Sequence, residues 1–190
     1  MGTSGVGNYR TALRSVTFSA SGTTVSTATR TLTITGTDDF SPTPATSLAI
    51  TRDVTVSTAN FPPALAGIPA SALAYVRGAA AAVVASGLLV GDLDSINLTG
   101  ATIQVTTHYQ NGQDVLGFTA GFGVTGSYAA ATGTLTLTGT TSLANYQTLL
   151  RSVTYKTNTA AANTLSRTIT FAINDGLALS APGTRNITLT

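Results

Sequence analysis

"NYRTALRSVTF", residues 8–18, returns as "NYQTLLRSVTY", residues 145–155, and this repetition governs the reading of the whole chain. Self-similarity at a fixed offset marks segments that share one local fold. At the same offset Arg30-Thr-Leu-Thr-Ile falls on Arg167-Thr-Ile-Thr-Phe without a gap, and the lead-in "GTSGVG" from Gly2 falls on "GTTSLA" from Gly139. After a four-residue contraction, "RDVTVS" at Arg52 meets "RNITLT" at Arg185. Residues 1–58 and about 138–190 are thus two copies of one half-unit, separated by a different segment, 59–137.

The half-unit has a clear period. "TSLANYQTLLRS" sets Leu143, Tyr146, Leu149 and Leu150 at helical spacing, and the period then changes to two in "SVTYK", which predicts a short helical turn feeding a strand. "RTLTIT" and "RTITFAI" alternate Leu32 and Ile34, or Ile169, Phe171 and Ile173, with Thr, the pattern of a half-buried strand. "RDVTVS" and "RNITLT" repeat it as a closing strand. The middle segment supplies "TIQVTTHY", "DVLGFT" and "GTLTLTG", each bounded by turn residues. Short strands at regular spacing, with no long helical pattern, predict an all-β chain: an antiparallel β-sandwich of the immunoglobulin-like kind.

The run "GSYAAATGTLTLTG…NYQTLLRSVTY…RTITFAINDG" resembles the tandem cadherin-like repeats of large bacterial surface and adhesin-type proteins, related to the repeats of chondroitin-sulfate-proteoglycan cores. The resemblance covers one complete repeat, 59–190, and the C-terminal half of a preceding one, 1–58, which needs complementing strands. It implies a non-catalytic structural or adhesive module of an extracellular or cell-surface rod or stalk, often stabilised by calcium. Its partners would be neighbouring repeats or copies of itself, joined by strand pairing or end-to-end stacking. The chain has one front half, 59–137, and two back halves, and three strands with an open apolar face are marginal alone. We expect the 190 residues to be a segment of a longer array, or residues 1–58 to be closed by another polypeptide. In the second case the protein is a self-assembling filament or surface-lattice subunit. Exchange between copies does not cure the imbalance, because every added chain brings another unmatched back half.

Composition narrows the chemistry. Only 8% of residues are charged, against about 25% in an average domain, and all seven acids are Asp. The nine basic residues are scattered, leaving +2 overall and no patch for nucleic acid or anionic membrane. Without Cys, disulfides and thiolate chemistry are excluded. "MGTSGVGNYR" has neither a basic n-region nor an apolar run, and the most apolar stretch, Gly78 to Gly91, is short of the roughly 20 residues a membrane helix needs, so no membrane insertion is expected. Six Tyr and six Phe are dispersed and Trp is absent, so the chain lacks the aromatic platform of a carbohydrate-binding sandwich.

Candidate sites are few. "GFGVTG", residues 121–126, spells a dinucleotide fingerprint, yet an alternating strand follows it and no acid appears until Asp175. It is expected to be a loop between "DVLGFT" and "GTLTLTG". Asp92 and Asp94 in "GDLDS" and Asp175 in "INDG" match acidic motifs of the resembling repeats and are the candidate calcium ligands. The alternative is that these Asp cap backbone amides in turns. The junction "STANFPPAL" stands where similar repeats carry an Asp-rich linker, of which Asn60 and Pro63 remain. His108, the sole His, lies six residues from Asp114, but no Ser sits in a nucleophile elbow, and no enzyme activity is expected. Arg14/Arg151, Arg30/Arg167 and Arg52/Arg185 recur in both half-units, which predicts one structural role: covering apolar surface and donating to loop carbonyls. Tyr146 and its copy Tyr9 are candidates for corner tyrosines that tie a loop to the sandwich.

Overall fold

A computed structural model of the chain describes residues 5–20, 26–39, 42–56 and 59–190. The chain divides into two compact units, Met1–Ala59 and Asn60–Thr190. Unit 1 holds α1 (Val6–Arg14), β1 (Arg30–Ile34) and β2 (Ile50–Val54). Unit 2 runs β3 (Ala64–Ala66), β4 (Leu73–Tyr75), β5 (Ala82–Val83), β6 (Leu89–Gly91), β7 (Asn97–Thr107), β8 (Asp114–Gly117), β9 (Thr125–Ala129) and β10 (Thr134–Ser142). It continues through α2 (Leu143–Arg151), β11 (Thr154–Thr157), β12 (Arg167–Asn174) and β13 (Gly183–Leu189). The chain is β-rich, with several antiparallel sheets.

In unit 2 a six-stranded sheet has the order β4-β13-β12-β7-β10-β9, and a three-stranded sheet the order β5-β11-β8. Every pair is antiparallel except β13 with β4. The alternation in the sequence explains the burial: β12 buries Arg167, Ile169, Phe171 and Ile173 and leaves its Thr residues half-exposed. Long β7 lies between β10 and β12 and buries Leu98, Ala101, Ile103 and Val105. Leu116 and Tyr155 of the smaller sheet join these residues, with Tyr146, Leu149 and Leu150 of α2, in one apolar core. The helix begins where the Ser142 side chain accepts the Asn145 amide and ends with Arg151 against the negative end of the helix dipole.

The glycine-rich stretch at 121–126 opens on a tight turn in which the Val124 amide donates to the Gly121 carbonyl. Phe122 and Gly123 both take positive φ there. The sequence predicts a loop from β8 to β10, whereas the structure inserts β9, which pairs with β10 from Thr125 onward. Gly126 is within that strand because Phe118 lies against its face, where an added Cβ would sit 2.1 Å from the ring.

Unit 1 is the same half-unit in a different environment. The pairing of β1 with β2 sets Arg30 against Val54 and Leu32 against Arg52, which is the register of Arg167 against Ile187 and Ile169 against Arg185. Tyr146, Leu150, Val153, Tyr155 and Phe171 are fully buried, whereas their copies Tyr9, Leu13, Val16, Phe18 and Ile34 are 41–66% exposed. Residues 17–20, the copy of β11, form no strand. The reason is topological: β11 hydrogen-bonds to β5 and β8, both of which belong to the front half.

Truncating copied positions therefore has unequal effects. Phe171→Ala is expected to cost about 3–5 kcal/mol by emptying a filled core site, while Ile34→Ala leaves the main thermal transition within about 0.5 kcal/mol. Calorimetric melts of the two variants check this.

Candidate functional site

A buried ion pair joins the front half to the back half. Asp114 opens β8 in the smaller sheet, and Arg167 opens β12 in the larger. Arg167 Nε donates to Asp114 Oδ2 at 2.8 Å, with both side chains fully buried. Tyr155 of β11 donates its hydroxyl to Asp114 Oδ1 at 2.6 Å, and the Gln110 amide donates to Oδ2 at 2.8 Å. Tyr128 of β9 adds a bond from its hydroxyl to the Asp114 carbonyl at 2.6 Å. The guanidinium is held by its own loop: Nη1 donates to Asn163 Oδ1 at 2.9 Å and to the Leu165 carbonyl at 2.5 Å. Nη2 is buried without a hydrogen-bond partner. The Tyr155 ring meets Tyr75 edge to face, with centroids 5.3 Å apart.

Burial and then the bond to Asp114 push the Tyr155 hydroxyl far above its ordinary pKa. Burial and the hydroxyl of Tyr109 do the same to Tyr128, and burial raises Tyr146. Tyr146 is fully buried and donates to the Gly139 carbonyl at 2.5 Å, tying the end of β10 to α2.

The remaining recurrent arginines of unit 2 donate to carbonyls. Arg151 Nε reaches the Leu88 carbonyl at 2.7 Å, and Arg185 reaches those of Ser71 and Val84. The recurrence in sequence predicts the same role for Arg167, whereas the structure gives it an ion pair with an acid far away along the chain. One signal was present: an Asp heading the apolar alternation of "DVLGFT" is a charge about to be buried. Asp114 is engaged in this network, while His108 lies exposed at a strand end in a left-handed conformation, its Nδ1 2.8 Å from the Ser166 carbonyl.

Asp92, Asp94 and Asp175 come to the end of unit 2 where the chain enters at Asn60 and Phe61. Asp94 accepts the Phe61 amide, and Asp92 Oδ1 accepts the amides of Asp94 and Ser95. Asp175 Oδ1 accepts the amides of Leu177 and Ala178 at 2.7 Å, and its Oδ2 accepts from Asn60 Nδ2 at 3.0 Å. The Ala178 amide foremost, with those of Leu177 and Asn60, holds Asp175 below the usual carboxylate range. Asp92 Oδ2 is buried without a hydrogen bond. Among the described residues no three His, Cys, Asp or Glu side chains group as metal ligands. As placed, the set does not fit a calcium cage of about six to eight converging oxygens.

Among the described residues no helix is long and apolar enough to cross a membrane. No protein-family model matches the chain, and a search of curated proteins returns no match.

Two outcomes are expected at the Asp114 network. Asp114→Ala or Arg167→Met alone leaves an uncompensated buried charge and lowers stability by about 3–5 kcal/mol, whereas the double variant Asp114→Leu/Arg167→Met regains most of that loss. Urea unfolding of the three variants measures it. The tyrosines set a second dependence: their raised folded pKa means that their contribution is whole below about pH 10 and falls as pH rises beyond it, because the unfolded chain ionises first. Tyr155→Phe removes about 1.4 kcal/mol per pH unit from that alkaline slope, read from melts between about pH 9 and 12.

Proposed function

We propose that the chain is a non-catalytic structural or adhesive module, built from immunoglobulin- or cadherin-like β-sandwich repeats and displayed outside the cell or at its surface as part of a multi-domain rod or stalk. The single observation that supports it is the duplication: two half-units with the same strand register, one closed by a front half and the other open. A repeat that shares one core between its two halves is the building unit of a linear array, whose work is shape and load rather than chemistry. The sandwich reading draws on the two main sheets of unit 2, which share that core through the Asp114 network. Surface Thr ladders, such as Thr106 against Thr170 at 2.9 Å, give the sheet a polar face with few charges to desolvate on stacking.

A second reading has its own observation. The exposed apolar side chains of unit 1, Leu13, Val16, Phe18 and Ile34 among them, favour a filament or lattice subunit completed by another chain. Multi-angle light scattering over a concentration series separates the two. We expect a mass that stays at one chain from micromolar to hundreds of micromolar, and growth into concentration-dependent polymers would favour the second reading.

A further inference from the structure

This inference rests on the half-repeat reading and names what closes the open half. Arg30 reproduces the local setting of Arg167. Its Nη1 donates to the Ala28 carbonyl, as Arg167 Nη1 donates to that of Leu165, the residue at the copied position. Its second bond, to the Ser26 carbonyl at 3.0 Å, comes from the position where Arg167 meets Asn163. The strand register around it is the same. What differs is the acid: Arg167 Nε holds Asp114, whereas among the described residues Arg30 makes no salt bridge. Phe18 stands where Tyr155 donates to that carboxylate, so an acid arriving here would find the guanidinium without the second, phenolic donor. The copied apolar positions Leu13, Val16, Phe18 and Ile34 are exposed in unit 1, whereas Leu150, Val153, Tyr155 and Phe171 are buried in unit 2.

A second copy of the chain is a poor occupant. Its one front half is already engaged in its own unit 2, and lending it away opens another back half. We propose that unit 1 is an acceptor for the front half of a further repeat: an antiparallel-strand segment of the type of residues 60–137, which presents an aspartate to Arg30. The arginine selects among apolar segments, because one lacking a carboxylate at this position would bury an unpaired guanidinium. Its pre-formed loop bonds hold the fork in place before the carboxylate arrives, which reduces the ordering needed on docking.

The test adds a second copy of residues 60–137 ahead of the full chain through a flexible linker and follows melting by calorimetry. The unmodified chain is expected to show one transition, that of unit 2, and the fusion a second of comparable area. Arg30→Met, or replacing by Asn the Asp114 equivalent of the added segment alone, should lower the midpoint of the new transition by on the order of 10 °C, leaving the original one in place. A fusion without a second transition overturns the proposal, as does a second transition indifferent to both charge variants. Two transitions already present in the unmodified chain would instead overturn the half-repeat reading itself. Arg30→Met in the unfused chain, expected to leave its single transition unmoved, separates loss of docking from general destabilisation.

Discussion

Burying a carboxylate as an anion is costly unless a cation or hydrogen-bond donors meet it, and the Asp114–Arg167 pair turns this constraint into a join between the front and back halves of unit 2. Both charges are removed from water; Tyr155 and Gln110 donate to the carboxylate, Asn163 and the Leu165 carbonyl accept from Nη1, and Nη2 is left without a partner. Such pairs are weak contributors to net stability compared with apolar packing, yet removing one partner is costly. In a chain with so few charges, placing one acid and one base at the heads of strands in different sheets admits one alignment of front on back and penalises the rest. We regard the pair as the specifying contact and the surrounding Ile, Leu and Tyr side chains as the source of most of the free energy.

The duplication, the alternation and the helix-to-strand change were legible because each is a local property of the chain. β12, β13, β10 and α2 stand where their patterns place them, with Ser142 and Arg151 at the helix ends where capping and the dipole favour them. The unread parts depend on what lies opposite. Residues 17–20 follow the same "SVT" lead as β11, but a strand is made by its neighbours, and among the described residues of unit 1 none pairs with them. β9 escaped notice because "TGSYA" buries little: it is an edge strand defined by its ladder to β10 rather than by alternation. The acid for Arg167 lies in another sheet, and no spacing rule reaches that far. The turn acids were recognisable as turn residues, while their convergence near Asn60 was not.

Sequence identity between the half-units makes the molecule its own control. Copied positions, identical at Tyr9/Tyr146, Leu13/Leu150 and Val16/Val153 and apolar at Ile34/Phe171, are buried in unit 2 and exposed in unit 1. Unit 1 holds a helix and a two-stranded ladder, whereas unit 2 adds to the same half-unit the β11 strand, the inter-sheet ion pair and a closed core.

Native-state amide exchange on the unmodified chain bears most directly on this account, because it reads the paired positions one by one. Ile169 and Phe171 should exchange only through global unfolding of unit 2, while Leu32 and Ile34, in the same register, should exchange orders of magnitude faster. Protection of residues 30–34 and 50–54 at the level of β12 in a monomeric chain would contradict it, since unit 1 would then be complete without a partner.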